Sequence, residues 1–224
     1  MSRLSATFRP TLRSVLFYSS YIYSPRGASY SCELSRQLCL RLKLADPACL
    51  AFYAGRVREQ TIRDERFARL FARPAVLVPV PGSSPSGANG AGTPWAAQRL
   101  CSALRGIGLG ESIWAGVRRI FPVRKSATAV NADRPCVRQH YDSFAVRAPA
   151  GATVPSRIVV IDDVITKGRT LFAAVLRLQE AFPNADIRAF ALVRTMGFLP
   201  NLRHCLDPCQ GVIRWAGDDA RREP

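Results

Sequence analysis

The stretch that most constrains the fold of this chain is 158–171, which reads IVVIDDVITKGRTL. Ile158–Ile161 form an apolar, β-branched run of the kind found in strands that are buried on both faces of a parallel sheet. Two aspartates follow, then a short turn that carries hydroxyl groups and a glycine, and then a helix-like run at 171–182. The order of strand, turn and helix predicts an α/β fold, in which ligands bind at the carboxyl edge of the sheet.

The turn has the composition of a phosphate site. Thr166–Thr170 offer backbone N–H groups and two hydroxyls, and Gly168 lets the main chain approach a ligand closely because it has no Cβ. A helix that begins near Thr170 adds unpaired donors and a favourable dipole. Asp162 and Asp163 are too acidic to face a phosphate, so we expect them to face sugar hydroxyls and to favour positive charge on the sugar ring. Metal and receiver sites of other α/β proteins also use paired aspartates, and the pair alone leaves that alternative open.

The whole run closely resembles the phosphoribosyl pyrophosphate (PRPP) fingerprint of type I phosphoribosyltransferases. The resemblance implies that Asp162 and Asp163 contact the ribose. It also implies a 5′-phosphate loop, which consists of Thr166, Lys167, Gly168, Arg169 and Thr170. Lys167 departs from the family pattern, because many members carry a small hydroxyl residue at that position. The implied fold is a central, mostly parallel sheet flanked by helices, with a small hood from the N- and C-terminal segments.

A second segment, Val76–Ser84, reads VLVPVPGSS and predicts a buried strand that stops at prolines and a turn. Its sequence resembles that of the competence-associated ComF-like branch of the family and of the amidophosphoribosyltransferases. In this family the turn after the first core strand binds pyrophosphate. The resemblance assigns that role to Pro81, Gly82, Ser83 and Ser84. An ordinary proline-terminated strand and loop is the alternative.

The third segment, 124–144, mixes cations with small residues and has no clear helical or strand period. This composition is typical of a mobile loop that closes over a polyanion and excludes water. Its position matches the flexible catalytic loop of the family. The candidate residues of this loop are Arg124, Lys125, Ser126, Arg138 and His140. Lys125 is the candidate that neutralises the leaving pyrophosphate, and His140 is either a general base or a structural histidine.

Periodicity and turn signals predict the remaining elements. Strands are predicted at Ser14–Tyr23, at Arg188–Arg194, at Val212–Trp215 and, as one or two short strands, within Ser112–Ile120. Helices are predicted at Ser31–Lys43, Pro47–Phe71, Pro94–Gly106 and Leu171–Phe182. The resemblance then divides the chain into a lead-in and hood at 1–72, a core at 73–197 and a tail or cap at 198–224.

The chain is strongly basic. Its net charge is +16, from 32 Lys and Arg residues against 16 Asp and Glu. This balance fits an anionic substrate and also permits nonspecific contact with nucleic acid, although the cations do not cluster. No window approaches the roughly 18 apolar residues of a membrane span, so we expect no membrane partner.

The cysteines favour a reducing compartment. The chain has seven of them, an odd number without paired spacings, which predicts free thiols and a cytoplasmic location. Cys205 and Cys209 form the only close pair, next to His204. Zinc normally needs four ligands and no second pair is evident, so we expect no metal site made by side chains.

The resemblance implies an enzyme that transfers a phosphoribosyl group from PRPP to a nitrogen nucleophile, a base or an amine, and releases pyrophosphate. Mg²⁺ is the expected cofactor, held mostly by substrate oxygens and water. The alternative is a non-catalytic protein of the same fold that senses PRPP or a nucleotide, or assists DNA uptake. A nucleic-acid-binding protein is a third interpretation. The acceptor and the oligomeric state, including a homodimer, are left open.

Overall fold

The computed structural model describes residues 8–84, 95–124, 134–147, 154–197, 199–217 and 219–224. Its strands are β1 (Ser14–Tyr23), β2 (Ala75–Pro79), β3 (Ser112–Ile113), β4 (Val117–Arg119), β5 (Phe144–Val146), β6 (Arg157–Ile165), β7 (Asp186–Thr195), β8 (Leu206–Ala216) and β9 (Asp219–Glu223). Its helices are α1 (Tyr30–Lys43), α2 (Pro47–Arg63), α3 (Glu65–Phe71), α4 (Ala96–Gly106), α5 (Val137–Asp142) and α6 (Arg169–Ala181).

A seven-stranded sheet with the order β3-β2-β6-β7-β1-β8-β9 forms the centre of the protein. The first five of these strands pair in parallel, whereas β8 and β9 add two antiparallel strands beyond β1. Strands β4 and β5 form a separate antiparallel pair. The predicted α/β class, with a mostly parallel sheet flanked by helices, is therefore confirmed.

Strand β6 is buried on both faces, as its sequence predicts. Val159 and Ile161 pack into the core between the sheet and helices α1–α4, whereas Ile158 and Val160 pack into the core that contains α6. All four side chains are fully buried. Burial of each contributes roughly 1.5–3 kcal/mol, so the two cores hold this strand firmly at the centre of the sheet.

The predicted helix at Pro47–Phe71 is wrong at one position, because two helices meet there at Asp64. This residue is extended, with φ −133° and ψ 111°, and it ends α2. Its carboxylate accepts a hydrogen bond from the N–H of Arg66 at 2.9 Å and so caps α3. Asp is a preferred N-cap residue, and this was the available signal for the break.

The C-terminal segment also differs from its prediction. Instead of a tail with a short strand, β8 extends over Leu206–Ala216 and pairs antiparallel with both β1 and β9. Because β1 lies between β7 and β8, the strands of both terminal segments belong to the central sheet. The prediction that the terminal segments form a small hood is therefore wrong for strands β1, β8 and β9, which extend the sheet instead.

The β8–β9 hairpin packs against the start of α6. The rings of Trp215 and Phe172 stack with centroids 6.2 Å apart, and Ile213 and Ala220 are buried in the same core as the first turns of α6. Arg169 forms an ion pair with Asp219 of β9. The C-terminal hairpin therefore helps to hold the N-terminus of α6 in place.

Among the described residues, no helix has the length and apolar character needed to cross a membrane. All seven cysteines lie within the described ranges and all have free thiols. Cys205 and Cys209, which are close in sequence, contact different residues. The Sγ of Cys205 donates to the carbonyl of Ser31 at 2.9 Å, and the Sγ of Cys209 lies 3.3 Å from the hydroxyl of Ser19.

Candidate functional site

Two turns leave the sheet at the same edge, next to each other. Strands β2 and β6 are parallel neighbours, and Pro79 at the end of β2 pairs with Ile161. The N–H of Val80 donates to the carbonyl of Ile161 at 2.9 Å. The predicted pyrophosphate turn therefore begins beside Asp162, the first of the two aspartates.

The aspartates lie within strand β6 rather than after it. The ladder with β7 continues through Asp162↔Ala191 to Ile165↔Arg194. Since side chains alternate along a strand, the two carboxylates have different surroundings. Asp162 interacts with Arg119, whereas Asp163 lies close enough to raise the pKa of Cys39 in α1.

The carboxyl group of Asp162 is electrostatically perturbed. Burial and then the neighbouring charge of Asp163 raise the pKa of Asp162 well above its ordinary value, while the cation of Arg119 acts in the opposite direction. The Oδ1 of Asp162 accepts a hydrogen bond from the N–H of Asp163 at 2.9 Å. An enclosed carboxylate that lacks full compensation is typical of a functional site rather than of a purely structural pair.

The predicted phosphate-loop residues line one depression at the start of α6. The depression is lined by Arg134, His140, Asp162 and 164–171. Gly168 is the N-cap of α6, and no side chain caps the helix there. Because α6 has 13 residues, its first turn provides unpaired N–H groups and a substantial positive dipole end. The structure thus brings Asp162 and the whole predicted loop together.

Gly168 is required by its backbone conformation and by packing. Its φ is +81°, in the left-handed region that glycine favours. A Cβ at this position would also come within 2.9 Å of the Ile213 side chain. Sequence analysis explained this glycine by close approach to a ligand, and the contact with β8 is a second reason that only the structure reveals.

The side chain of Arg169 has a structural role. Besides its ion pair with Asp219, its Nη1 donates to the carbonyls of Arg134 and Pro135 at 3.1 and 3.2 Å. The guanidinium is therefore held by β9 and by the residues before α5. For the predicted phosphate role, this leaves the backbone N–H of Arg169 rather than its charge.

The turn after β2 exposes backbone to solvent. Pro81 is buried, whereas Gly82 and Ser84 are exposed and Ser83 is partly exposed. Within the part of the chain that the structure describes, a Cβ on Gly82 would meet no atom within 4 Å. The carbonyl of Ser83 accepts a hydrogen bond from the N–H of Val123 at 3.0 Å, which fixes one side of the turn and leaves Gly82 open.

Arg119, which no sequence pattern singles out, lies between the two turns. It is only 2% exposed, although it lies on the short strand β4. Its Nε donates to the carbonyl of Gly82, its Nη1 donates to the hydroxyl of Ser143 at 2.5 Å, and its guanidinium lies 4.4 Å from the centre of the Phe144 ring. Burial lowers the pKa of Arg119 to about 10, while Asp162 acts to raise it. In a chain so rich in arginine, nothing in the local sequence marks this one.

His140 and Arg138 lie on a helix, not in the predicted loop. Helix α5 covers Val137–Asp142, and the Gln139 side chain accepts a hydrogen bond from the N–H of Cys136 at 2.8 Å. A helix of six residues is too short to show a period in the sequence. Arg138 pairs with Asp142 at 3.6 Å on the exposed side of the helix and does not line the depression.

His140 is buried and uncharged. It is 3% exposed, and its Nε2 lies 3.5 Å from the hydroxyl of Thr170. Burial, followed by the cations of Arg119 and Arg169, lowers the pKa of His140 to about 3. A base this weak cannot take up a proton effectively near neutral pH, so the structure favours the structural interpretation over the general base.

The remaining candidates of the third segment lie at its start. Arg124 is the last described residue before the gap at 125–133. Lys125 and Ser126 lie outside the described residues, so their roles stay predictions. Among the described residues, no group of three or more His, Cys, Asp or Glu side chains is arranged to hold a metal ion.

No family model matches the chain when it is compared with models of known protein families. A search among curated proteins likewise finds no significant match. The function of the chain therefore has to be inferred from the geometry of the site and from the sequence pattern.

We predict that Asp162→Asn stabilises the protein at pH 8 and that the gain disappears as the pH falls to about 4. Above that pH the unfolded carboxyl is ionised, whereas the folded one keeps its proton up to its raised pKa. The folded state then binds more protons, so the free energy of unfolding decreases as the pH rises through this window. Each kcal/mol gained corresponds to about 2–4 °C in Tm.

Thermal unfolding at pH 4, 6 and 8 measures this effect. Asp186→Asn is the matched control, because Asp186 begins β7 beside Arg157 at the opposite edge of the sheet. If Asp162→Asn is no more stable than the wild type at pH 8, the inference that ionised Asp162 destabilises the folded state is wrong.

We predict that Gly168→Ala destabilises the protein by at least about 1 kcal/mol, because it adds left-handed strain and a clash with Ile213. Ile213→Val in that background should recover part of the loss. Urea unfolding measures both variants. Gly55→Ala is the control, since a Cβ there meets nothing within 4 Å; equal stability of the two alanine variants would refute the packing argument.

Proposed function

We propose that this protein is a phosphoribosyltransferase that uses PRPP as donor, transfers the phosphoribosyl group to a nitrogen of a base or amine, and releases pyrophosphate. The observation that carries the proposal is the adjacency of the two turns. Parallel pairing of β2 with β6 puts the turn at Pro81–Ser84 and the loop at Thr166–Thr170 at one edge of the sheet, with Asp162 between them. A sugar that carries a phosphate at one end and a diphosphate at the other fits this order.

The loop at the start of α6 is suited to the 5′-phosphate. Its backbone N–H groups and the hydroxyls of Thr166 and Thr170 are hydrogen-bond donors, and the uncapped helix start favours negative charge. Lys167 lines the same depression. Arg169 contributes indirectly, because its anchored side chain holds the loop against β9.

The turn after β2 is suited to the diphosphate. Gly82 is exposed, and no atom of the described residues occupies the space beside its Cα, so phosphate oxygens can reach the main chain. The buried Arg119 places a positive charge directly behind this turn. Lys125 and Arg124 are the predicted loop cations that would neutralise the leaving pyrophosphate.

The aspartates are suited to the ribose and its developing charge. In this proposal Asp162 and Asp163 accept hydrogen bonds from the ribose hydroxyls and stabilise an oxocarbenium-like sugar electrostatically. Mg²⁺, when bound, neutralises diphosphate charge, and one or two carboxylates with substrate oxygens are its usual ligands in phosphate-transferring enzymes. The contribution of the chain is otherwise to position the donor and exclude water.

A PRPP sensor is the second candidate, and the state of His140 favours it. Among the described residues that line the depression, His140 is the one histidine, and its pKa of about 3 makes it a poor base. A binding protein needs no base, whereas an enzyme must rely on the acceptor or on residues elsewhere. Turnover distinguishes the two candidates.

We predict that, with Mg²⁺ present, the wild type releases pyrophosphate from PRPP when one member of a panel of bases and amines is added as acceptor. Asp163→Asn should lower this rate by about a hundredfold or more, since it removes a charge that acts on the transition state. In the wild type, Asp163 accepts a hydrogen bond from the N–H of Val164 at 2.9 Å. The side-chain amide oxygen of the asparagine variant can still accept this bond, so the local structure should persist. Asp186→Asn is the control and should keep full activity.

Tight PRPP binding without turnover of any acceptor would favour the sensor. Failure of the wild type to bind PRPP would overturn both candidates. Steeply salt-dependent DNA binding that survives in the Asp162→Asn, Asp163→Asn double variant, and that PRPP does not displace, would instead favour the nucleic-acid-binding interpretation.

We predict that Gly82→Ala weakens binding of inorganic pyrophosphate about tenfold, equivalent to one lost hydrogen bond to a charged group. The added methyl group meets no described residue within 4 Å, so the Tm should not change. Calorimetric titration measures the affinity, and Gly55→Ala is the control. An unchanged Kd in Gly82→Ala would mean that the diphosphate does not contact this turn.

A further inference from the structure

A chain of contacts through three buried side chains connects the two ends of the proposed site. It starts at the turn after β2, passes through Arg119 and Ser143, and ends at the first turn of α6. Arg119, Ser143 and His140 are 2%, 2% and 3% exposed, respectively. The function proposed above does not require these contacts.

The first part of the chain belongs to Arg119. Its Nε donates to the carbonyl of Gly82, and its Nη1 donates to the hydroxyl of Ser143 at 2.5 Å. One planar guanidinium therefore holds the predicted pyrophosphate turn and the end of α5 in a single geometry. Arginine is suited to this task because its donors form a rigid fork.

The second part runs from Ser143 to α6. The hydroxyl of Ser143 donates to the carbonyl of His140 at 2.7 Å, so it accepts from one neighbour and donates to the next. The Nε2 of His140 then lies 3.5 Å from the hydroxyl of Thr170. Thr170 is one of the residues that line the depression at the helix start.

We propose that Arg119 and Ser143 are positioning residues that couple the two anion subsites, so that an anion bound at the turn after β2 tightens binding of an anion at the start of α6. The inference rests on the proposed function, which assigns these subsites to diphosphate and phosphate. By linkage, the effect is the same in both directions.

The physical basis is the cost of breaking a buried contact. Movement of Gly82 toward a ligand has to carry Arg119 along, because a buried guanidinium or hydroxyl without its partner is strongly destabilised. Once the first anion has fixed the turn at Gly82, the contacts through Arg119 and Ser143 restrict α5 and Thr170 as well, so binding of the second anion costs less conformational entropy. Coupling between sites is typically about fivefold or more in affinity.

The experiment titrates the full chain with inorganic pyrophosphate, with and without saturating ribose 5-phosphate, at pH 7.5 and constant Mg²⁺. For the wild type we expect ribose 5-phosphate to tighten pyrophosphate binding about fivefold or more. Ser143→Ala should abolish most of this roughly fivefold coupling. The Kd of each ligand measured alone should stay within about twofold of its wild-type value, a change smaller than the smallest typical coupling.

Ser35→Ala is the matched control. Ser35 is fully buried, donates to the carbonyl three residues earlier at 2.7 Å and accepts one hydrogen bond, from the N–H of Ser24, just as Ser143 does with His140 and Arg119. It lies on α1, outside the chain of contacts, so its loss should leave the coupling factor unchanged. Arg119→Lys, which keeps the charge but not the fork, should lose the coupling as Ser143→Ala does.

The outcomes separate the two proposals. If the wild type binds both ligands independently, or if Ser143→Ala retains the wild-type factor, the coupling is overturned and the proposed function is not. If neither ligand binds to the wild type, the proposed function and the coupling fall together. An equal loss of coupling in Ser35→Ala would assign the effect to general destabilisation and also overturn the proposal.

Discussion

Parallel pairing of β2 with β6 is the constraint on which the rest of the site depends. Register pairs from Ala75↔Arg157 to Pro79↔Ile161 bring the ends of both strands to the same edge. Both strands are buried, so a slip by one residue would exchange the side chains of the two cores and is strongly disfavoured. The apolar packing of the strands thereby sets the spacing between the turn at Gly82 and the carboxylate of Asp162.

The same burial gives the site its electrostatic character. It raises the pKa of Asp162 and lowers those of Arg119 and His140, so each group is under electrostatic strain because burial disfavours its charged form. Such strain persists only where surrounding structure enforces it, and it is concentrated at functional sites. Here the enforcing elements are α5, α6 and the β8–β9 hairpin, which enclose the groups that the parallel strands bring together.

Much of the fold was predictable because long apolar periods report burial directly. Strand β1, helix α1 and helix α6 lie close to their predicted bounds, whereas β6 continues past the predicted Ile158–Ile161 through both aspartates to Ile165. Short or locally capped elements were not predictable in this way: Asp64 divides a long helical pattern, and α5 is shorter than two helical turns. The β8–β9 hairpin was underestimated because its pairing depends on β1, which is almost two hundred residues earlier in the chain.

By itself the sequence determined the α/β class, the buried strand with its two aspartates, and the glycine-containing turn before α6, since hydrophobic period and turn chemistry are local properties. Only the tertiary structure decided which polar groups meet. It buried Arg119 behind Gly82, engaged Arg169 with Asp219, removed His140 from the list of bases, and packed Ile213 against Gly168. These outcomes depend on which distant segments exclude water from each other, and no local pattern encodes that.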